Sequence, residues 1–222
     1  MSPFEYQKIG LDDSRIEEVF RLRFQVYCME CGYEDPCDYL HQLESDEYDP
    51  VATHFCARES HSQKMIGTAR IIHPSELGLP VFNHFEVDPT LGLSLPHDRV
   101  GEISRLAISK SYRRRMVDQA IYRNDKVINL MDERQKRSWR VRYEQILVSG
   151  MYHSIYRESL DLGLTHLFAI MSDGLHLLLT RWGLIMRPIG PAQDHHGIRR
   201  PYVASIEENM PWFEQEELKQ AH

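Results

Sequence analysis

The chain has 222 residues, 42% hydrophobic and 27% charged. A chain of this size buries roughly 70% of its unfolded surface, and the composition excludes collagen-like, disordered and channel-forming proteins. With 33 acids against 26 bases the formal charge is −7, which argues against nucleic acid and anionic membranes as partners unless the charge is segregated.

The longest uncharged stretch near the middle, Leu162 to Ser172, is shorter than the ~20 residues of a spanning helix. The N-terminus carries no basic, apolar leader, so a cytoplasmic protein without an integral membrane segment is expected. The four cysteines Cys28, Cys31, Cys37 and Cys56 are too few for a disulfide scaffold. Cys28 and Cys31 form a CxxC pair, but no second CxxC or HxxxH follows at ligand spacing, so packing thiols are expected and no metal.

In chain order, residues 4–10 read as a first strand. Ser14-x-x-Glu17 offers a capping box for a helix running to about Cys28, with Ile16, Val19, Phe20, Phe24 and Tyr27 on its apolar side. Counting by three and four from Val19 and Phe20 reaches Arg23, so a guanidinium falls within the core-facing stripe and needs an acidic partner. A loop rich in Gly, Pro and acid follows. THFCARE and MIGTARII, separated by SHSQK, then read as a hairpin.

After an irregular stretch from His73 to His97, RVGEISRLAIS reads as a strand interrupted by Glu102 and Arg105. A helical region is expected from about Met116 to Leu162, with Tyr143, Leu147, Met151 and Ile155 in its apolar repeat. LTHLFAIM then forms a strand, LHLLLTRW a short helix, and MRPIG and RPYVASI close the sheet. With no internal repeat or linker, residues 1–222 read as one mixed α/β domain.

The strongest signal is charge where the pattern demands apolar residues. Alternation in MIGTARII puts Ile66, Thr68, Arg70 and Ile72 on one face, and in VGEISRLAI it puts Glu102 with Val100, Ser104, Leu106 and Ile108. Asp46 and Asp49 are spaced to converge on one cation. Arg23, Arg70 and Arg105 against Asp46, Asp49 and Glu102 would give either a satisfied structural ion network or a catalytic cleft. In an unbroken strand Glu102 and Arg105 point to opposite faces, so their joining one site requires a bulge.

These residues also fall into spaced motifs. Arg23 is followed by Tyr27 and then by the pair Gly32-Tyr33; SDEYD gives D-x-x-D at Asp46 and Asp49; GTARI gives G-x-x-R at Gly67 and Arg70; EISR gives E-x-x-R at Glu102 and Arg105. In order and spacing they resemble acyl-homoserine-lactone (autoinducer) synthases. The C-terminal run RWGLIMRPIGPAQDHHGIRRPY is more similar to N-acyl amino acid synthases and to the acyltransferases of exosortase/PEP-CTERM systems. The resemblance implies a GNAT-like fold with a mixed central sheet, a bulged central strand and flanking helices. It also implies transfer of a fatty acyl group from an acyl carrier protein thioester to a small amine acceptor, with no further cofactor.

On that reading Glu102 is the candidate base, directly or through water. Backbone N–H groups near Leu106 to Ile108 would serve the oxyanion. Arg23, Arg70 and Arg105, held by Asp46 and Asp49, would bind an acceptor carboxylate or fix Glu102. Tyr27 and Tyr33 join the substrate-binding set through the motif. Where coenzyme-A-using GNAT enzymes carry a glycine-rich phosphate loop, this chain has SYRRRM, which disfavours coenzyme A as donor. Leu178 stands where that fold often has the aromatic thiolate acid, and no other residue is singled out as the acid.

From Ser111 to Arg142 the sequence holds ten bases and four acids. This block, including Arg113, Arg114 and Arg115, is either a docking site for an acidic acyl carrier protein or a solvated helix face. It matches no nucleic-acid motif. His195 and His196 read as loop or rim residues. Leu175, Leu177, Leu178 and Leu179, with Leu164, Leu167 and Phe168, read as core, part of which could line an acyl tunnel. Two alternatives stay open: an acyl-homoserine-lactone synthase using S-adenosylmethionine, and a non-catalytic acyl- or carrier-binding module.

Overall fold

In the computed structural model, which describes residues 2–92, 95–110 and 133–220, the alternating segments join one mixed sheet. β1 (Phe4–Ile9) pairs antiparallel with β2 (Ala52–Glu59), and β2 with β3 (Met65–Ile72), forming the expected hairpin. β3 pairs antiparallel with β4 (Val100–Ile108), which runs parallel to β5 (His166–Met171). β5 pairs antiparallel with β8 (Ile198–Ser205), which in turn takes β6 (Arg187–Pro188) and β7 (Gln193–Asp194). The order along the sheet is β1-β2-β3-β4-β5-β8-β6.

Each face of the sheet is covered by helices whose apolar spacing fits it. α4 (Glu133–Asp161) puts Leu147, Met151 and Ile155 onto Phe4, Phe55 and Ile71, as the repeat predicts. Each such buried side chain contributes about 1.5–3 kcal/mol. The approach is close: the Tyr6 hydroxyl donates to Ile146 O at 2.8 Å, and a Cβ at Gly150 would fall inside the Tyr6 ring. On the opposite face α1 (Ile16–Phe24) buries Val19 and Leu22 against Ile9, Cys56 and Met65.

Four expectations change. α1 has no Ser14 capping box; the Asp13 carboxylate instead accepts from the Arg15 N–H at 2.9 Å and from the Arg15 side chain. The α-helix ends at Phe24 and widens into a π-helical turn over Gln25–Glu30, closed by Cys31 N–H donating to Val26 O at 2.9 Å. Ile66 packs with Ala69 and Ile71 rather than facing with Arg70, because the β2–β3 register slips between Ala57 and Arg58 opposite this part of β3. In α5 (Asp173–Arg181) Leu179 is core, whereas Leu177 and Leu178 are exposed.

The sequence pattern also passes over α6 (Ile206–Gln220). Its internal Pro211 breaks the helical reading, yet Trp212 and Phe213 are buried and His153 of α4 stacks on Phe213, ring centres 4.6 Å apart. The irregular stretch from His73 to His97 holds two short helices, α2 (Pro80–His84) and α3 (Pro89–Gly92). The expected helix between Met116 and Asp132 lies outside the described residues.

The middle of the sheet positions everything that follows. The β3–β4 register jumps from Thr68↔Ala107 to Arg70↔Ser104, and Arg105 sits at φ +52°. This is the bulge that the separation of Glu102 and Arg105 requires. A left-handed backbone at a non-glycine residue costs on the order of 1–3 kcal/mol, so its surroundings must hold it. On the other side, β4–β5 pairing runs only from Val100↔His166 to Ile103↔Ala169. Beyond Ile103 β4 has no described partner on that side, and the two strands part around a cleft.

Candidate active site

The π-helical turn, the loop after it, β3 and the β4 bulge bring six charges into one closed ring. Arg23 donates through Nε to Glu44 and through Nη1 to Asp49 Oδ1 at 2.6 Å. Arg70 donates to both Asp46 oxygens, at 2.6 and 2.7 Å, and also to Asp49. Arg105 donates to Glu44 Oε1 at 3.0 Å through Nε, while its Nη2 lies 3.1 Å from Asp46 Oδ2. Reading round, Arg23, Glu44, Arg105, Asp46, Arg70 and Asp49 alternate in sign and close on Arg23.

The third acid is therefore Glu44, which the sequence reading passed over, and not Glu102. HQLESDEYD looks like a solvated acidic run, and with Glu102 counted against the third arginine nothing in the sequence turned one of its glutamates inward. Alternation is what makes the largely buried ring tolerable, since each charge has opposite charges on both sides. Burial pushes the Asp46 carboxyl up, but its bonds to Arg70 and the nearby Arg105 and Arg23 outweigh that and hold it at about 2. Burial alone would lower the Arg23 pKa; Glu44 and Asp49 raise it instead.

Glu102 stands apart from the ring. Its Oε2 accepts from Val81 N–H at 2.8 Å, and among the described residues no group bonds to Oε1. It is 0% exposed. Burial raises its pKa to about 8, against the weaker pull of the Val81 bond, Arg70 and Arg105. A carboxyl titrating in the neutral range is suited to taking a proton from an amine.

The cleft between β4 and β5 has a volume of about 610 Å³. Glu102, Arg70, Arg105, Asp46, Tyr27, Tyr33, Leu106 and Ile108 all line it. Arg23 and Asp49 do not: Arg23 is 0% exposed and sits behind the wall, holding the residues that face the cleft. The Tyr27 and Tyr33 rings lie 6.3 Å apart, and the Arg105 guanidinium is 5.5 Å over Tyr27, whose hydroxyl burial pushes up to about 12. Val148, Tyr152, Leu175 and Leu178 add an apolar wall, so part of the leucine run does line a cavity. His195 and His196 are on its rim.

The open edge of β4 offers donors. Ser109 N–H bonds back to Ile66 O on β3 at 3.2 Å; alternation then turns the N–H groups of Ile108 and Leu106 to the β5 side. Arg113, Arg114 and Arg115 lie outside the described residues. Among the described residues no helix is long and apolar enough to cross a membrane.

The acetyltransferase (GNAT) domain family matches residues 22–123. No curated protein matches by sequence. Among solved structures, TofI in a ternary complex with an inhibitor and MTA is similar at a TM-score of 0.66 and 16% identity, covering 96% of this chain and 97% of that one. BjaI, a CoA-dependent acyl-homoserine lactone synthase with SAM and isopentyl-CoA, is similar at a TM-score of 0.60 and 18% identity, covering 96% and 89%. FeeM, an N-acyl amino acid synthase from uncultured soil microbes, gives a TM-score of 0.58 and 13% identity, covering 94% and 92%. The parted parallel strands, the bulge before them and these likenesses together establish a GNAT fold.

Proposed function

We propose that this protein is an N-acyltransferase that moves a fatty acyl group from an acyl carrier protein thioester to the amine of an amino acid or related small molecule. The observation that carries the reading is Glu102, a buried carboxyl in the wall of a cleft between parted strands, one of whose oxygens has no partner among the described residues. An ammonium is no nucleophile, so Glu102 takes a proton from the acceptor, directly or through one water. The amine lone pair then attacks the thioester carbonyl. The C–N bond forms, the C–S bond breaks, the sulfur leaves with the bonding pair, and the second proton shed by the nitrogen ends on that sulfur, giving the amide and a free thiol. The Leu106 and Ile108 N–H groups are placed to stabilise the oxyanion in between. The charge ring keeps the bulge and Arg105 fixed beside the reacting centre.

A carrier-protein donor is supported by the sequence from Ser111 to Arg142, with ten bases and four acids in a chain of net charge −7, and by the lack of glycine in SYRRRM. The C-terminal motif supports a place beside an exosortase/PEP-CTERM system, and the reaction belongs in the cytoplasm, where acylated carrier proteins are found.

The test is to incubate the protein with long-chain acyl carrier protein or acyl-CoA and a pool of amino acids, then to follow N-acyl products and free thiol. N-acyl amides from the carrier thioester are expected. Products from acyl-CoA alone would overturn the donor, homoserine lactones formed from S-adenosylmethionine would overturn the product class, and tight carrier binding without product would leave a binding module. Reversing Arg113, Arg114 and Arg115 to Glu should weaken carrier binding in a salt-sensitive way; an unchanged affinity assigns the block to solvation.

A further inference from the structure

Among the described residues three arginines line the cleft, and two are already committed: Arg70 to Asp46 and Asp49, and Arg105 to Glu44 and Asp46. The third is Arg199, on β8. It follows a tight turn in which His195 N–H donates to Gly197 O at 3.0 Å and Gly197 N–H to Asp194 Oδ1 at 3.1 Å. The Arg199 guanidinium lies 5.3 Å over the Tyr33 ring, and the polar contact it makes is a 3.3 Å bond from Nη1 to Ile198 O. Among the described residues no carboxylate pairs with it. The neighbouring acid Glu34 is turned to Arg105, its Oε1 3.6 Å from Nη2. His195, stacked on His84 with ring centres 5.5 Å apart, and His196 flank Arg199 on the same rim.

A half-buried guanidinium over an aromatic ring, with one long bond to a backbone carbonyl and no carboxylate partner among the described residues, is a receptor for a planar anion. We infer that Arg199 binds the carboxylate of the acyl acceptor, so that the acceptor is an amino acid whose amine is held toward Glu102 in the same cleft. This rests on the acyl-transfer reading and adds to it both the acceptor's charge and the residue that reads it. Arg23, Arg70 and Arg105, expected from sequence to bind that carboxylate or to fix Glu102, are bonded into the ring.

The experiment compares amino acids with their carboxamides as acceptors, in wild type, Arg199→Gln and Arg199→Lys. Wild type should favour the free carboxylate about tenfold or more in kcat/KM, mainly through KM. In Arg199→Gln the ratio should fall toward one, and Arg199→Lys should restore part of it. A wild type indifferent to the carboxylate, or a ratio unchanged in Arg199→Gln, overturns the assignment. A second arm needs no turnover: affinity for N-lauroyl glycine against N-lauroyl glycinamide, measured by calorimetry, should show the same preference and the same loss. If no amine is acylated but that preference is present, the transfer reading fails while the carboxylate site stands. If neither ligand is preferred, the site fails whatever the activity.

Discussion

Glu44 and Glu102 are both buried. Glu44 accepts from Arg23 and Arg105, whereas burial pushes Glu102 up to about 8 against the weaker pull of its one backbone N–H. The consequences differ in sign. Replacing Glu44 by Gln leaves two arginines short of a partner and should cost about 3–5 kcal/mol, read as a lower midpoint in denaturant; a loss within experimental scatter would dissolve the ring as a structural unit. Replacing Glu102 by Gln removes the proton acceptor and should lower turnover about 10²-fold or more. Wild-type activity at low substrate should rise with pH toward about 8 as the Glu102 carboxylate forms, and the variant should lack that limb. Stability moves oppositely: the raised pKa means the folded state holds the proton, so stability contributed by neutral Glu102 is complete below the unfolded value near 4.5 and declines as pH climbs through about 8. Glu102→Gln should therefore be the more stable protein at pH 8 relative to wild type than at pH 5.

Within β4 the bulge at Arg105 supplies a test that separates backbone from charge. Its φ of +52° suits glycine, so Arg105→Gly should be more stable than Arg105→Ala by about 1 kcal/mol, although both lose the same ion pairs. Equal melting temperatures would show that the left-handed geometry relaxes once the guanidinium is gone. This bulge was legible in the sequence on the reading that Glu102 and Arg105 serve one site, because two charges three residues apart cannot share a face of a regular strand. The hairpin, the α4 repeat and the closing strands were legible for the same reason, each having an unambiguous period. What escaped was decided by contacts between distant segments: the π-helical turn, Ile66 displaced by a register slip, and α6 with its internal proline. Glu44 and Arg199 escaped because a lone acid in an acidic loop, or a lone arginine after a turn, has no pattern until the sheet brings them beside Arg23 and Tyr33.

For the whole molecule, the charge is divided between a net −7 chain and the basic stretch from Ser111 to Arg142, so association with an acidic carrier should weaken with salt while the internal ring does not. That ring also does something for the architecture. Between Cys31 and Tyr48 the chain has little regular secondary structure, and Glu44 and Asp46, with Asp49 just beyond, are the points where it is fastened to α1, β3 and β4. Asp46, at about 2 in the fold against 3.8 in the open chain, lends its share of stability above 3.8 and forfeits it as acid carries the solution through 2. Strong acid should thus unbuckle one strap while the β-sheet beneath still stands: pepsin at about pH 2 is expected to nick the polypeptide first between Cys31 and Asp49, before circular dichroism registers any loss of strand.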